Sequence, residues 1–248
     1  MNLRRFDAAI IDLDGTLIDT LDDFLAALNA MADELALPRI EADAVRRRVG
    51  KGSEHLVRSV LEQMLTVGDA SATDADVAVR FDGAFASYQR NYLAVNGRHA
   101  RVYPGVTEGL DALRDAGLRL ACLTNKPTAF ALPLLEQKSL AGYFEQVFGG
   151  DAFERKKPDP LPLIKTCEAL GSTPARTLMI GDSSNDARAA RAAGCPVLLV
   201  SYGYNHGQPV SEVDCDGVLG SLGELAQLDE LADAPRENNR GGQEERSP

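Results

Sequence analysis

Cysteine is scarce, and the few present do not pair by spacing. Cys122, Cys167, Cys195 and Cys215 are scattered through 248 residues, without the close spacing of zinc ribbons or dithiol motifs, so no disulfide framework is expected and a reducing, cytoplasmic setting is predicted. His55, His99 and His206 share no metal-ligand spacing either, which argues against a zinc site. No apolar run approaches the ~18 residues that a membrane-spanning helix needs, and the small-apolar stretch after Asp7 is too short for a signal-peptide core. Neither a membrane partner nor secretion is predicted. Positive charge is in the minority, with 26 basic against 37 acidic side chains and a net charge of −11. Such a field repels polyanions, and Arg46-Arg47-Arg48, the one basic run, suits a solvated helix face, so no nucleic-acid partner is expected.

What is present is ordered by changes of hydrophobic period. Asp7-Ala-Ala-Ile-Ile-Asp12 reads as a buried parallel strand ending in an acid. From residue 20 the spacing becomes helical. Leu21, Phe24, Leu25, Leu28, Met31, Ala32 and Leu35 form one stripe, Leu56 to Leu65 a second, and Val77, Phe81, Phe85, Tyr88 and Tyr92 a third. Strands then alternate with helices: strands at 118–124, 146–149, 177–181 and 196–200, and helices near 128–138, 160–170, 185–193 and 221–231. This rhythm predicts an α/β fold, a doubly wound parallel sheet covered by helices, interrupted by an all-helical insert. The expected division is 1–19 and 98–232 for the sheet domain, 20–97 for the insert, and 233–248 for a disordered tail, whose composition offers no large apolar side chain after Pro235.

Four short motifs fall where strands end, which is where open parallel sheets bind ligands. The first, Asp12-Leu-Asp14-Gly15-Thr16, sets two carboxylates two residues apart. One can attack phosphorus while the other protonates the leaving oxygen and then activates water, and Gly15 allows close backbone approach to a phosphate. An isolated Asp-Xaa-Asp-Gly turn would also fit a calcium loop, but no glutamate closes it at EF-hand spacing. In Thr124-Asn125-Lys126-Pro127 a hydroxyl and backbone N–H groups at a helix start suit phosphate oxygens, or equally an ordinary helix cap. In Lys156-Lys157-Pro158-Asp159-Pro160 the lysine directly before the proline, Lys157, is chosen as the fixed cation and Lys156 as its solvated neighbour. In Gly181-Asp182-Ser183-Ser184-Asn185-Asp186, Asp182 joins Asp12, the backbone of residue 14 and water in an oxygen-rich site of the kind Mg²⁺ prefers, while Asp186 fits a ligand or a helix-capping role.

These four motifs, in this order, resemble those of the haloacid dehalogenase superfamily over roughly residues 6 to 231. The resemblance implies Asp12 as nucleophile, Asp14 as acid/base, Asp182 and Asp186 as magnesium ligands, a sheet order of five-four-one-two-three, and a helical cap in the insert. The loop Ser201-Tyr-Gly-Tyr-Asn-His-Gly207, together with Thr-Asn-Lys-Pro, resembles the superfamily's bacterial phosphoglycolate phosphatases. That implies a small phosphorylated metabolite as substrate, 2-phosphoglycolate first and a sugar phosphate as the alternative. Asp14 argues against dehalogenases and phosphonate-cleaving relatives, neither of which carries an acid there. Receiver domains, which store a phosphoryl group on an aspartate, lack the helical insert. Gly50-Lys51-Gly52-Ser53 does not satisfy a P-loop, because no glycine lies five positions before Gly50. Lys51 between two glycines could instead reach a substrate carboxylate, or point to solvent. The pattern fixes no oligomeric state.

Overall fold

The computed structural model describes residues 2–68, 71 and 73–227. The tail expected at 233–248 lies outside them, as does most of the helix expected at 221–231, of which a turn over 224–227 is described.

The chain enters the sheet through β1 (Ala8–Ile11), and its next pairing is β2 (Ile18–Asp19). Four helices follow: α1 (Leu21–Glu34), α2 (Ala42–Arg46), α3 (Ser53–Gly68) and α4 (Asp74–Val95). β3 (Arg101–Val102) pairs antiparallel with β2, with Ile18 opposite Val102 and Asp19 opposite Arg101. The two crossings into and out of the helical insert are therefore hydrogen-bonded to each other. Buried Asp23 reinforces the exit, accepting from the backbone N–H groups of Gly97 at 2.6 Å and His99 at 2.8 Å.

The remaining elements alternate: α5 (Val106–Asp115), β4 (Arg119–Leu123), α6 (Thr128–Gln137), β5 (Gln146–Phe148), α7 (Leu161–Ala169), β6 (Thr177–Gly181), α8 (Ser184–Ala193), β7 (Val197–Val200) and β8 (Gly217–Leu219). The large sheet has the order β5-β4-β1-β6-β7-β8, and all its pairings are parallel. The first five strands run in the expected order. β8 adds a sixth at the edge, too short and too little apolar to announce itself by pattern. α2, α5, β2 and β3 are likewise additions to the elements read from sequence.

Alternation along the strands builds two cores. Ala9 and Ile11 of β1, with Leu120, Cys122, Leu178 and Ile180, face α5 and α6. Ala8 and Ile10, with Ala121, Leu123, Met179 and Leu199, face α7 and α8. β1 is paired on both edges by β4 and β6 and buried on both faces by these helices. A third core joins α1 to α4, and Phe130 and Tyr204 from the sheet region pack into it, so the insert sits on the C-terminal edge of the sheet.

Candidate active site

β1 ends at Ile11, and the chain turns sharply through Asp12, Leu13, Asp14 and Gly15. Gly15 adopts φ +83°, and a Cβ there would lie 2.3 Å from Asp182 Oδ2. Glycine is thus required by the approach of β1's loop to β6's loop, a tighter reason than access for a ligand. Gly203 makes the same allowance from the opposite side, where a Cβ would lie 2.2 Å from the Asp182 Cβ.

The structure brings together Asp12, Asp14, Gly15, Thr124, Asn125, Lys157, Asp182 and Asp186. Asp12, Asp182 and Asp186 are buried and present oxygens within 4.8 Å of one another. Asp12 Oδ1 lies 2.9 Å from Lys157 Nζ. This contact is an ion pair, and no aligned hydrogen bond satisfies that buried oxygen. Burial pushes the Asp12 carboxyl up to about 7, with the Lys157 ammonium pulling down and the Asp186 charge adding to the rise. Asp182 is raised well above the ordinary range, first by burial and then by the charges of Asp186 and Asp12. Its Oδ2 accepts from the Tyr204 N–H at 2.6 Å. Two buried carboxyls whose charged forms burial disfavours, with oxygens within 4.8 Å of each other, fit a hard divalent cation that would favour those forms.

Asp186 is arranged differently. Its Oδ1 accepts from Lys157 Nζ at 2.7 Å. Its Oδ2 accepts from the Ser183 hydroxyl at 2.8 Å and N–H at 3.2 Å, closing the capping box of α8. Both oxygens are engaged, so its position suits holding Lys157 and the β6 loop. Lys157 Nζ also donates to the Leu123 carbonyl at 2.8 Å. Burial opposes its charge, but Asp12 and Asp186 outweigh burial and raise its pKa above the usual lysine range. Asn125 fixes the lysine's backbone, accepting from the Lys157 N–H at 3.1 Å and donating to the Lys157 carbonyl at 2.8 Å. The Thr124 hydroxyl accepts from the Lys126 N–H at 3.2 Å.

Asp14 faces the insert. Its Oδ1 accepts from the Thr20 hydroxyl at 2.8 Å, and both its oxygens accept from Lys126 Nζ, at 2.8 and 3.0 Å. Thr20, at the entrance to α1, donates its N–H to the Tyr204 hydroxyl at 2.7 Å, which donates to Asp19 Oδ1 at 2.8 Å. The acid is thereby wired to the crossing between the two parts of the chain.

Above these groups lies a small recess, lined on the sheet side by Asp12, Asp14, Thr124, Asn125 and Lys126, and on the insert side by Phe24, Val49, Gly50, Gly52, Ser53 and Leu56. Lys51 is not among these. It is exposed and lines a separate surface depression with Glu54, His55, Glu154 and Lys156. The glycines on either side adopt φ +109° and +90°, and the backbone rather than the lysine turns inward. The Gly50 carbonyl accepts from Asn125 Nδ2 at 2.9 Å and from Asn185 Nδ2 at 3.1 Å. Sequence reasoning missed the roles of Lys126, Thr20, Asn185 and Tyr204. Lys126 and Asn185 lay within quoted motifs and Tyr204 within the quoted loop 201–207, and nothing local marks any of them as buried.

Comparison with known proteins bears on this arrangement. A family model described as haloacid dehalogenase-like hydrolase matches residues 6–194. A phosphoglycolate phosphatase from Thiobacillus denitrificans is 46% identical over 221 residues, covering 89% of this chain and 94% of the relative. One from Nitrosospira multiformis is 46% identical over 222 residues, with coverage of 89% and 94%. The crystal structure of a predicted phosphoglycolate phosphatase from Haemophilus somnus superposes with a TM-score of 0.84 at 29% identity, over 90% of this chain and 98% of that one.

Proposed function

Because this chain belongs to the haloacid dehalogenase-like hydrolases, we propose that it is a magnesium-dependent phosphomonoester hydrolase whose substrate is 2-phosphoglycolate. The observation that carries this reading is the pair Asp12 and Asp14 on one turn, both lining the recess beside the buried ammonium of Lys157. The naming of relatives at 46% identity as phosphoglycolate phosphatases supports the substrate.

In this reading a carboxylate oxygen of Asp12 forms a bond to phosphorus, and the bond from phosphorus to the ester oxygen breaks. Asp14 delivers its proton to that oxygen, releasing glycolate and leaving a phosphoryl group on Asp12. Asp14 then takes a proton from water, which attacks phosphorus as the bond from phosphorus to Asp12 breaks, freeing phosphate and restoring the Asp12 carboxylate. Lys157 neutralises charge on the phosphoryl oxygens as they transfer, and Thr124 with the backbone at Gly15 and Asn125 orients them. Asp12, Asp182 and the backbone of Asp14 would hold Mg²⁺, with Asp186 beside them, and the ion supplies Lewis-acid charge stabilisation at the phosphoryl group. Residues 20–97 serve as the cap that covers the leaving group. The absence of a helix long and apolar enough to cross a membrane among the described residues, and the acidic net charge, fit a cytoplasmic enzyme of small metabolites.

The test is a screen of small phosphate esters by kcat/KM in magnesium, including 2-phosphoglycolate, sugar phosphates and an aryl phosphate. The expected outcome is highest kcat/KM on 2-phosphoglycolate. A sugar phosphate turned over more efficiently would overturn the substrate, and hydrolysis undiminished in excess chelator would overturn the cofactor.

A further inference from the structure

A substrate with a carboxylate on its leaving group must meet it in the recess with a cation or a set of backbone donors beyond the groups that meet its phosphate. Lys157 is committed to Asp12, Asp186 and the Leu123 carbonyl. Lys51 lines a different depression. Among the described residues, the one basic side chain that lines the recess is Lys126. Its side chain is 2% exposed, and its ammonium lies 4.4 Å from the centre of the Phe24 ring and 4.9 Å from that of Tyr92. Two aromatic faces from the insert thus keep a charged group in place while offering it no competing anion. The anion it does meet is Asp14, at 2.8 and 3.0 Å.

That neighbour is informative. In 2-phosphoglycolate the carboxylate carbon is separated from the ester oxygen by a single methylene. The acid that protonates the ester oxygen and the cation that reads the carboxylate must therefore be adjacent, as Asp14 and Lys126 are. We propose that Lys126 is the specificity-determining residue for the leaving group: it exchanges its ion pair with Asp14 for one with the substrate's carboxylate, and so frees the Asp14 oxygens for the ester oxygen. This inference rests on the reading of the chain as a hydrolase of 2-phosphoglycolate. An ester without the second anion leaves the pair between Lys126 and Asp14 intact, with the acid turned away from its task. Selectivity then comes from the substrate disarming a contact already present, in addition to the contact it gains.

The experiment compares 2-phosphoglycolate with ethyl phosphate, which has a methyl group in place of the carboxylate, in the parent protein, Lys126→Met and Lys126→Arg. Loss of a charge-assisted hydrogen bond should lower the ratio of kcat/KM between the two substrates by roughly 10- to 100-fold in Lys126→Met. Lys126→Met also releases Asp14 for ethyl phosphate, from which the parent withholds it, so the lost contact and that release lower the ratio in the same direction. The lost contact should appear in KM for 2-phosphoglycolate and the release of Asp14 in a raised kcat for ethyl phosphate, and Lys126→Arg should recover part of the preference. Calorimetric binding of 3-phosphonopropionate against propylphosphonate reads the same ratio without turnover. Should Lys126→Met fail to fold, Lys126→Gln, which keeps a donor for Asp14 but no charge, carries the comparison.

An unchanged ratio in a folded Lys126 variant, with the parent still preferring 2-phosphoglycolate, overturns the inference and leaves the proposed function standing. A collapsed ratio in Lys51→Ala with Lys126→Met unaffected also overturns it, assigning the carboxylate to Lys51. A parent protein that shows no preference for 2-phosphoglycolate removes the functional reading, and this inference with it.

Discussion

Replacing Asp12 by asparagine is expected to abolish turnover and, in chelator, to stabilise the protein at neutral and higher pH. The second effect follows from the burial of the carboxyl, which raises its pKa from 3.8 to about 7. The native carboxyl binds its proton more tightly than the unfolded one. Between the two pKa values the native state holds more protons, and stability falls as pH rises through that window. The penalty is negligible below about pH 4, grows with pH, and levels off above about pH 7 at roughly 4 kcal/mol, at ~1.36 kcal/mol per pKa unit. An amide has no such charge to bury. Urea unfolding in chelator at about pH 5 and about pH 8 should show the stability advantage of Asp12→Asn widening by roughly 2–3 kcal/mol at the higher pH. His55 and His206, whose protonation burial disfavours, pull the pH dependence the other way, but they are common to both proteins and cancel in the difference. Saturating magnesium should close the gap by favouring the charged carboxylate of the parent. A variant less stable than the parent at the higher pH, or a gap that does not change with pH, would refute the reasoning.

Asp14→Asn should lower kcat by about 10²–10⁴ and also lower the melting temperature, because it leaves the buried Lys126 ammonium without its anion, measured by initial rates and thermal unfolding. Chelation should stop turnover, magnesium should restore it, and calcium should restore little, because its larger, looser oxygen shell misplaces the attacking carboxylate. Gly15→Ala should raise the magnesium concentration needed for half-maximal rate, since the added Cβ would lie 2.3 Å from Asp182 Oδ2 and must displace that carboxylate. Retention of the parent's magnesium dependence in that variant would show that Asp182 is not needed for the ion.

The parts of this structure readable from sequence are those whose signal is local. Runs such as Ala8–Ile11 and residues 178–180 are buried on both faces and so are continuously apolar, and Asp12 and Asp182 follow them at the sheet's C-terminal edge. The helical insert was equally plain from stripes such as that of Leu56, Val60 and Met64. β2 and β3 were not legible because two residues carry no period, and their pairing joins positions about eighty residues apart. Lys126 and Lys51 illustrate the limit at the site. Both sit in short motifs beside glycine or proline, yet one is buried against Phe24 and the other faces solvent. Which way a loop lysine turns depends on what packs across from it, here α1 and α4, and no window around the lysine contains that information.

The hold of the sheet domain on the Gly50 carbonyl has a bearing on how such chains diversify. Asn125 and Asn185 grip a main-chain oxygen, so no side chain of the insert is needed for the grip. Among residues lining the roof, Ser53 lies outside the insert's hydrophobic core and can change toward a new leaving group while the docking of the roof persists. Asn125 also fixes the backbone of Lys157 through the same amide. An inherited lineage can exchange its roof wholesale, provided the incoming loop presents one carbonyl in the same place, but it cannot exchange that asparagine without disturbing the cation beside the nucleophile.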